Sequence, residues 1–243
     1  MPQTTALQQS YRLADHVRAC HVDGQVILLD LRRDRYIGVG GALLPALSSR
    51  VADWPSVQVA STGEAPEADI GTWLASMCDQ GMLTSTSTTV AHRVGIAEPQ
   101  DSLVACDEAP GKGVHWRRIG NIALATLTAK QWLQRHRLAE IVEQVDKLRP
   151  APPTDPAAAQ NDQLRTAASW YLRTRPFVMS SHDECLRDSL TMLRFLAAEQ
   201  LYPQWVIGVR TRPFGAHSWV QSGHLVLNDL HETVRAYTPI LIV

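Results

Sequence analysis

Three short β-prone runs, residues 18–21, 25–31 and 35–39, are separated by the polar turns Asp23-Gly24 and Arg32-Arg33-Asp34, a pattern that predicts a small three-stranded sheet. The period then lengthens to that of a helix. Residues 42–53 and 69–79 read as helices, the second burying Ile70, Trp73, Leu74 and Met77 before Gly81 stops it. A Ser/Thr run at 85–89 and the turn formers Ala109-Pro110-Gly111-Lys112-Gly113 frame a stretch without period, which reads as a linker. Beyond it, residues 119–148 place Ile122, Leu124, Leu127, Trp132, Leu133, Leu138, Ile141, Val142 and Val145 at helical spacing, as two helices broken near Arg135-His136-Arg137. A further helix over 157–173 packs Leu164, Ala168 and Tyr171 and ends at Pro176. Leu186, Leu190, Leu193 and Ala197 mark the next one. Residues 201–209 form a buried strand, and 216–220 with 225–229 a hairpin turning at Ser222-Gly223. The fold class is α+β in two parts, residues 1–88 and 113–243 with a linker over 89–112.

Composition narrows the class without naming a reaction. The chain has 243 residues, 45% of them apolar and 19% charged, enough for one core or two small ones. Its net charge of -1 gives no electrostatic case for nucleic acid or an anionic membrane. Cys20, Cys78, Cys106 and Cys185 are scattered and read as free thiols of a reducing compartment, so a cytoplasmic location is expected. The first twenty residues hold no apolar core of a secretory signal, and no segment is apolar enough to span a bilayer.

The candidate chemistry lies in the last third. Ser181-His182-Asp183-Glu184 has the spacing of a capping box, so Cys185 falls in the first turn of its helix, where unpaired amides favour an anion. A nucleophilic cysteine works as the thiolate and needs its pKa lowered, by a helix N-terminus and a neighbouring imidazole. His217 on the first hairpin strand is the candidate base, and Asp229 at the end of the second is its orienting carboxylate. Register tests this reading. A two-residue loop at Ser222-Gly223 pairs His217 with Asn228 and turns Asp229 to the opposite face, whereas a three-residue loop or bulge brings Asp229 across from His217; the second is expected.

Two plainer readings stand beside it. A cysteine on an amphipathic helix is commonly inert core packing, which the cap and the downstream His and Asp argue against here. His182 and Cys185, with His217, His224 and His231 at seven-residue intervals, suggest a zinc site, yet no CxxC or HExxH pattern completes a ligand set. No metal or cofactor is expected. His224 and His231 read as turn and surface residues, and Arg117-Arg118 with Arg135-His136-Arg137 as a solvated basic face.

Ser-His-Asp-Glu-Cys185-Leu-Arg-Asp-Ser-Leu, Val206-Ile207-Gly208-Val209-Arg210, Pro213-Phe214-Gly215-Ala216-His217-Ser218-Trp219-Val220, Asn228-Asp229 and Tyr237-Thr238-Pro239-Ile240 resemble the transglutaminase-like cysteine peptidases of lasso-peptide biosynthesis, the B proteins, over about residues 113–243. The resemblance implies a transglutaminase-like, papain-like catalytic domain that removes the leader of a ribosomal precursor, with Cys185, His217 and Asp229 in the catalytic positions. It implies two partners, the precursor's leader region and an ATP-using, asparagine-synthetase-like cyclase that closes the macrolactam ring. Residues 8–88, with Val26 to Leu31 and Arg35-Tyr36-Ile37-Gly38-Val39, resemble the winged-helix recognition element of such pathways, the RRE, a PqqD-like domain. That element takes the leader as an added strand on its third strand, beside the last helix. An edge strand supplies affinity through its unpaired backbone, and side-chain pockets supply specificity. Tyr36, Ile37, Val39, Trp73 and Met77 are the candidate contacts, although aromatic and Met residues at helical spacing are more often core.

The expected reaction is acyl transfer to water, with the backbone amide of Cys185 as one oxyanion donor and a second drawn from residues 177–181. A transamidase or arylamine acetyltransferase-like enzyme uses the same triad. A leader-binding escort with a vestigial triad is the rival of another class.

Overall fold

The computed structural model describes residues 11–55, 66–85, 95–105, 116–149, 157–178 and 185–243. The chain divides into two compact units, Met1–His92 and Arg93–Val243. Each is α+β.

In the first unit a short strand β1 (Arg12–Leu13) precedes β2 (Val17–Val22), β3 (Gln25–Asp30) and β4 (Arg35–Gly40), an antiparallel meander in the order β2-β3-β4. The turns form where expected: Asp23 and Gly24 take φ of 47° and 76°, the left-handed pair a two-residue hairpin needs, and Asp34 takes 52°. Buried Asp30 ends β3 because its Oδ1 accepts the N–H groups of Arg32 and Arg33 at 3.0 and 3.2 Å. Helices α1 (Leu43–Arg50) and α2 (Glu67–Asp79) follow, and β5 (Leu83–Thr84) returns to pair with β1. Gly81, at φ 71°, stops α2. Val26 and Leu28 of β3 and Val39 of β4 meet Leu44, Leu47, Ile70, Leu74 and Met77 in one core.

The second unit begins with β6 (Asp101–Ser102), inside the stretch expected to be linker. It pairs in parallel with β9 (Leu225–Val226), and Gln221 reaches back to the carbonyl of Ala97 at 2.7 Å. So short a strand has no period to read; backbone pairing alone makes it. Helices α3 (Trp116–Arg135) and α4 (Leu138–Asp146) break where expected. However, α3 buries Ile122, Ala125 and Ala129, and leaves Leu124 and Leu127 exposed. The small residues let another helix come close, so that face, not the larger side chains, turns inward. Helix α5 (Ala157–Val178) runs through Pro176, which removes one bond, from position 176 to the carbonyl of Leu172, and ends two residues later.

Helix α6 (Cys185–Ala198) is the centre of this unit: Asp188 to Leu196 is almost wholly buried, against α3, α5 and β8. Strands β7 (Gln204–Thr211) and β8 (Phe214–Ser222) form a hairpin, then come β9, the single turn α7 (His231–Val234) and β10 (Thr238–Ile242), giving the sheet order β10-β7-β8-β9-β6. Among the described residues no helix is long and apolar enough to cross a membrane.

Candidate active site

Cys185 is the first residue of α6 and only partly exposed. Its own N–H, at the start of the helix, has no partner within it. The proposed capping box, Ser181 to Glu184, lies outside the described residues, as do Cys106, His182 and residues 179–181 of the segment 177–181 expected to supply a second oxyanion donor.

His217 comes to Cys185 from β8, paired across the ladder with Gly208 of β7. That glycine is obligatory. A Cβ at position 208 would lie 2.8 Å from the Trp219 ring and 2.9 Å from Cβ of Tyr237. With no side chain there, Trp219 and Tyr237 flank the imidazole, their ring centroids 6.2 and 5.1 Å from it. His217 Nε2 meets Asp229 Oδ2 at 2.5 Å. The thiol of Cys185 hydrogen-bonds the same imidazole, and since Nε2 is taken, Nδ1 is the nitrogen left for it.

Asp229 reaches His217 by a route other than the one expected. Ser222 pairs with Leu225 and Gln221 with Val226, so the loop is the two-residue turn Gly223-His224, with φ of 56° at Gly223. Continued, that register would set Asp229 opposite Ser218, on the far face from His217. The strand stops first. After Leu227, whose N–H bonds the carbonyl of Val220, the side chain of Asn228 replaces the backbone: its Oδ1 accepts the Val220 N–H at 2.8 Å. The main chain is thereby released to turn Asp229 onto the imidazole. Neither a bulge nor a longer loop is used.

Asn228 is itself held from below. Its Nδ2 donates to Asp188 Oδ2 at 2.9 Å and to Ser189 Oγ at 3.3 Å. Asp188, one turn after Cys185, also accepts the Tyr171 hydroxyl at 2.8 Å and Arg175 Nη1 at 3.0 Å. Arg175 further donates to the carbonyl of Asn228 at 3.3 Å. This buried cluster ties the helix of Cys185 to the segment carrying Asp229. Asp188, Asn228, Arg175 and Tyr171 were not singled out as site residues in the sequence, although Asp188 and Asn228 fall within the quoted motifs.

The charges follow from this geometry. Burial raises the Cys185 thiol, but bonds from His217 and from the Ser218 and Leu186 amides outweigh it, and the net shift is downward. Burial lowers His217, yet Asp229 and Cys185 more than compensate and bring it to about 9. Burial likewise raises Asp229, and His217, the Leu230 amide and Arg175 reverse it, leaving the carboxyl low. All three shifts favour thiolate, imidazolium and carboxylate together.

His224 and His231 are engaged elsewhere: His224 Nδ1 donates to the Glu98 carbonyl at 2.8 Å, and His231 Nδ1 meets Ser102 Oγ at 2.8 Å. Of the expected leader contacts, Tyr36, Ile37 and Trp73 are half-buried on the first unit, Trp73 edge-on to Trp54 at 5.9 Å. Val39 and Met77 are only 3% and 6% exposed. Both pack in the core, because alternation points Ile37 and Val39 inward and Met77 shares the inner face of α2 with Ile70 and Leu74; they are corrected from contact to packing residues.

Residues 123–242 match the transglutaminase-like superfamily. A 46-residue stretch is 46% identical to the microcin J25-processing protein McjB of Escherichia coli, covering 19% of this chain and 22% of that protein. The chain thus spans about a fifth of that curated relative in the match. No solved structure matches. Together these findings support the resemblance to the lasso-peptide B proteins, and the second unit holds a transglutaminase-like domain.

Proposed function

We propose that this chain, with its resemblance to the lasso-peptide B proteins as premise, is a cysteine peptidase that removes the leader of a lasso precursor before a partner cyclase closes the ring. One observation carries the reading: a cysteine opening a buried helix is bonded to an imidazole whose other nitrogen is held by a carboxylate.

The Cys185 thiolate attacks the scissile carbonyl, and the Cys185 N–H at the helix start faces the developing oxyanion. Protonated His217 hands its proton to the departing amine of the core peptide. The thioester formed with the leader is then opened by water, His217 taking the water's proton and returning it to sulfur. Asp229 fixes the tautomer and stabilises imidazolium throughout. In the first unit, edge strand β4 offers the backbone on which an extended leader can be added, with Tyr36, Ile37 and Trp73 beside it.

The test is mass spectrometry of a cognate precursor incubated with the native protein and with Cys185→Ala, with and without hydroxylamine. Cleavage at the leader-core junction by the native protein alone supports the reading. A product seen only with the amine present makes the protein a transamidase. Leader binding by both proteins with no cleavage in the presence of the cyclase makes it an escort.

A further inference from the structure

Arg210 lies on the sheet face that carries His217. It pairs across the ladder with Gly215, two residues before His217 on β8, so Arg210, Gly208 and His217 point to the same side. Its guanidinium lies over the Tyr237 ring, 5.1 Å from the centroid, and that ring stands 5.1 Å from the imidazole of His217. Gly215 makes the room: a Cβ there would come within 3.3 Å of Arg210 Nε. Nε is buried with no hydrogen-bond partner, and among the described residues no carboxylate pairs with the guanidinium.

A planar cation held over an aromatic face, half withdrawn from water and unmatched by an anion, is pre-shaped for a carboxylate fork. Stacking on Tyr237 fixes the plane but leaves the N–H edges unused, since a ring face satisfies charge and not hydrogen bonds. The position adds the ligand's identity. Arg210 lies about 7 Å, two strand residues, along the face from the base, within reach of a peptide lying across Cys185. In an internal bond cleavage, the carboxylates near the nucleophile belong to side chains.

We propose that Arg210, seated on Tyr237, is a substrate subsite that takes the carboxylate of an Asp or Glu side chain close to the scissile bond. The proposal rests on the peptidase reading, but its test does not need cleavage. Alkylation of Cys185 in the full chain is followed by mass spectrometry with iodoacetate, which carries a carboxylate, and with neutral iodoacetamide. The ratio of the two rates is compared in the native protein, Arg210→Gln and Arg210→Lys. Arg210→Gln lowers the iodoacetate to iodoacetamide ratio roughly fivefold, the share of one partly screened charge, and Arg210→Lys restores most of it. An unchanged ratio in Arg210→Gln overturns the subsite. That includes both reagents slowing together, which would mean that Arg210 acts only by holding Tyr237 against His217. Slow reaction of Cys185 with both reagents in the native protein counts against the peptidase reading instead, because the ratio is read whatever the absolute rate.

Discussion

Asp188→Asn changes a carboxylate to an amide of the same shape, so it removes charge and acceptors without opening a cavity. Asp188 receives the Tyr171 hydroxyl, Asn228 Nδ2 and Arg175 Nη1 at 2.8 to 3.0 Å. Oδ1 accepts from Tyr171 and Oδ2 from both Asn228 and Arg175, so an amide that keeps its oxygen toward the latter two turns its NH2 on the Tyr171 hydroxyl, and in either orientation Arg175 loses the charge of its ion pair. Removing one member of a buried ion pair costs about 3–5 kcal/mol. The Arg175 side chain retains 30% exposure and recovers part of that in water, so about 2–3 kcal/mol is expected. With a urea dependence of about 2 kcal/mol per molar, the midpoint for the second unit falls by about 1–1.5 M, read by far-UV circular dichroism and the fluorescence of Trp205 and Trp219. The site loosens as well. Asn228 then donates to a neutral amide oxygen in place of a carboxylate, a weaker anchor for the turn before Asp229, so Cys185 alkylates more slowly at neutral pH although its own contacts are untouched. A midpoint within about 0.2 M of the native protein would refute the claim that this cluster holds the Asp229 segment to the helix of Cys185.

Other outcomes follow from the same geometry. The pH profile of kcat/KM rises as the lowered Cys185 ionises and falls near pH 9 as His217 loses its proton, and Asp229→Ala moves the upper limb down toward the ordinary 6.5. Because the folded pKa of His217 is raised, its stabilising contribution is complete below 6.5 and is lost as pH rises through about 9, which denaturation midpoints across that window would show. Gly208→Ala forces a Cβ to within 2.8 Å of Trp219, and should cost about 1–3 kcal/mol in urea unfolding and misplace His217. In the first unit, Met77→Ala lowers stability by about 2–5 kcal/mol. Tyr36→Ala instead weakens leader binding in an anisotropy titration and leaves the midpoint nearly unchanged.

The elements were largely legible because periodicity carries them: the meander over 17–40, the helix break near His136 and the helix at Cys185 all follow from period and turn chemistry. That Cys185, His217 and Asp229 come together was legible because nucleophilic cysteine chemistry asks for those residue types, and a helix start and a hairpin provide the places. What pattern could not show is substitution of one kind of group for another. Asn228 supplies through its side chain a bond that a strand would make through its backbone, so the path of Asp229 was misjudged although its neighbour was not. Asp188 occupies a polar position of an amphipathic helix and looks like surface, yet it is buried, because Tyr171, Arg175 and Asn228 converge on it. In α3 the sequence pointed inward the largest apolar residues, and close helix packing chose Ala125 and Ala129. Pro176 predicts a stop, but the loss of its one N–H bond does not prevent the helix from continuing two residues further.

The central claim is that Cys185 stands as a thiolate beside an imidazolium held by Asp229. The measurement that tests it most directly is a pH titration of thiolate ultraviolet absorbance, taken as the difference between the native protein and Cys185→Ser, and repeated in the Asp229→Ala background. The account predicts a titration below the ordinary thiol value of 9.0, moving upward when Asp229 is removed. A difference spectrum that titrates at 9.0 or above in the native protein would contradict it and leave Cys185 a buried thiol with no chemistry of its own.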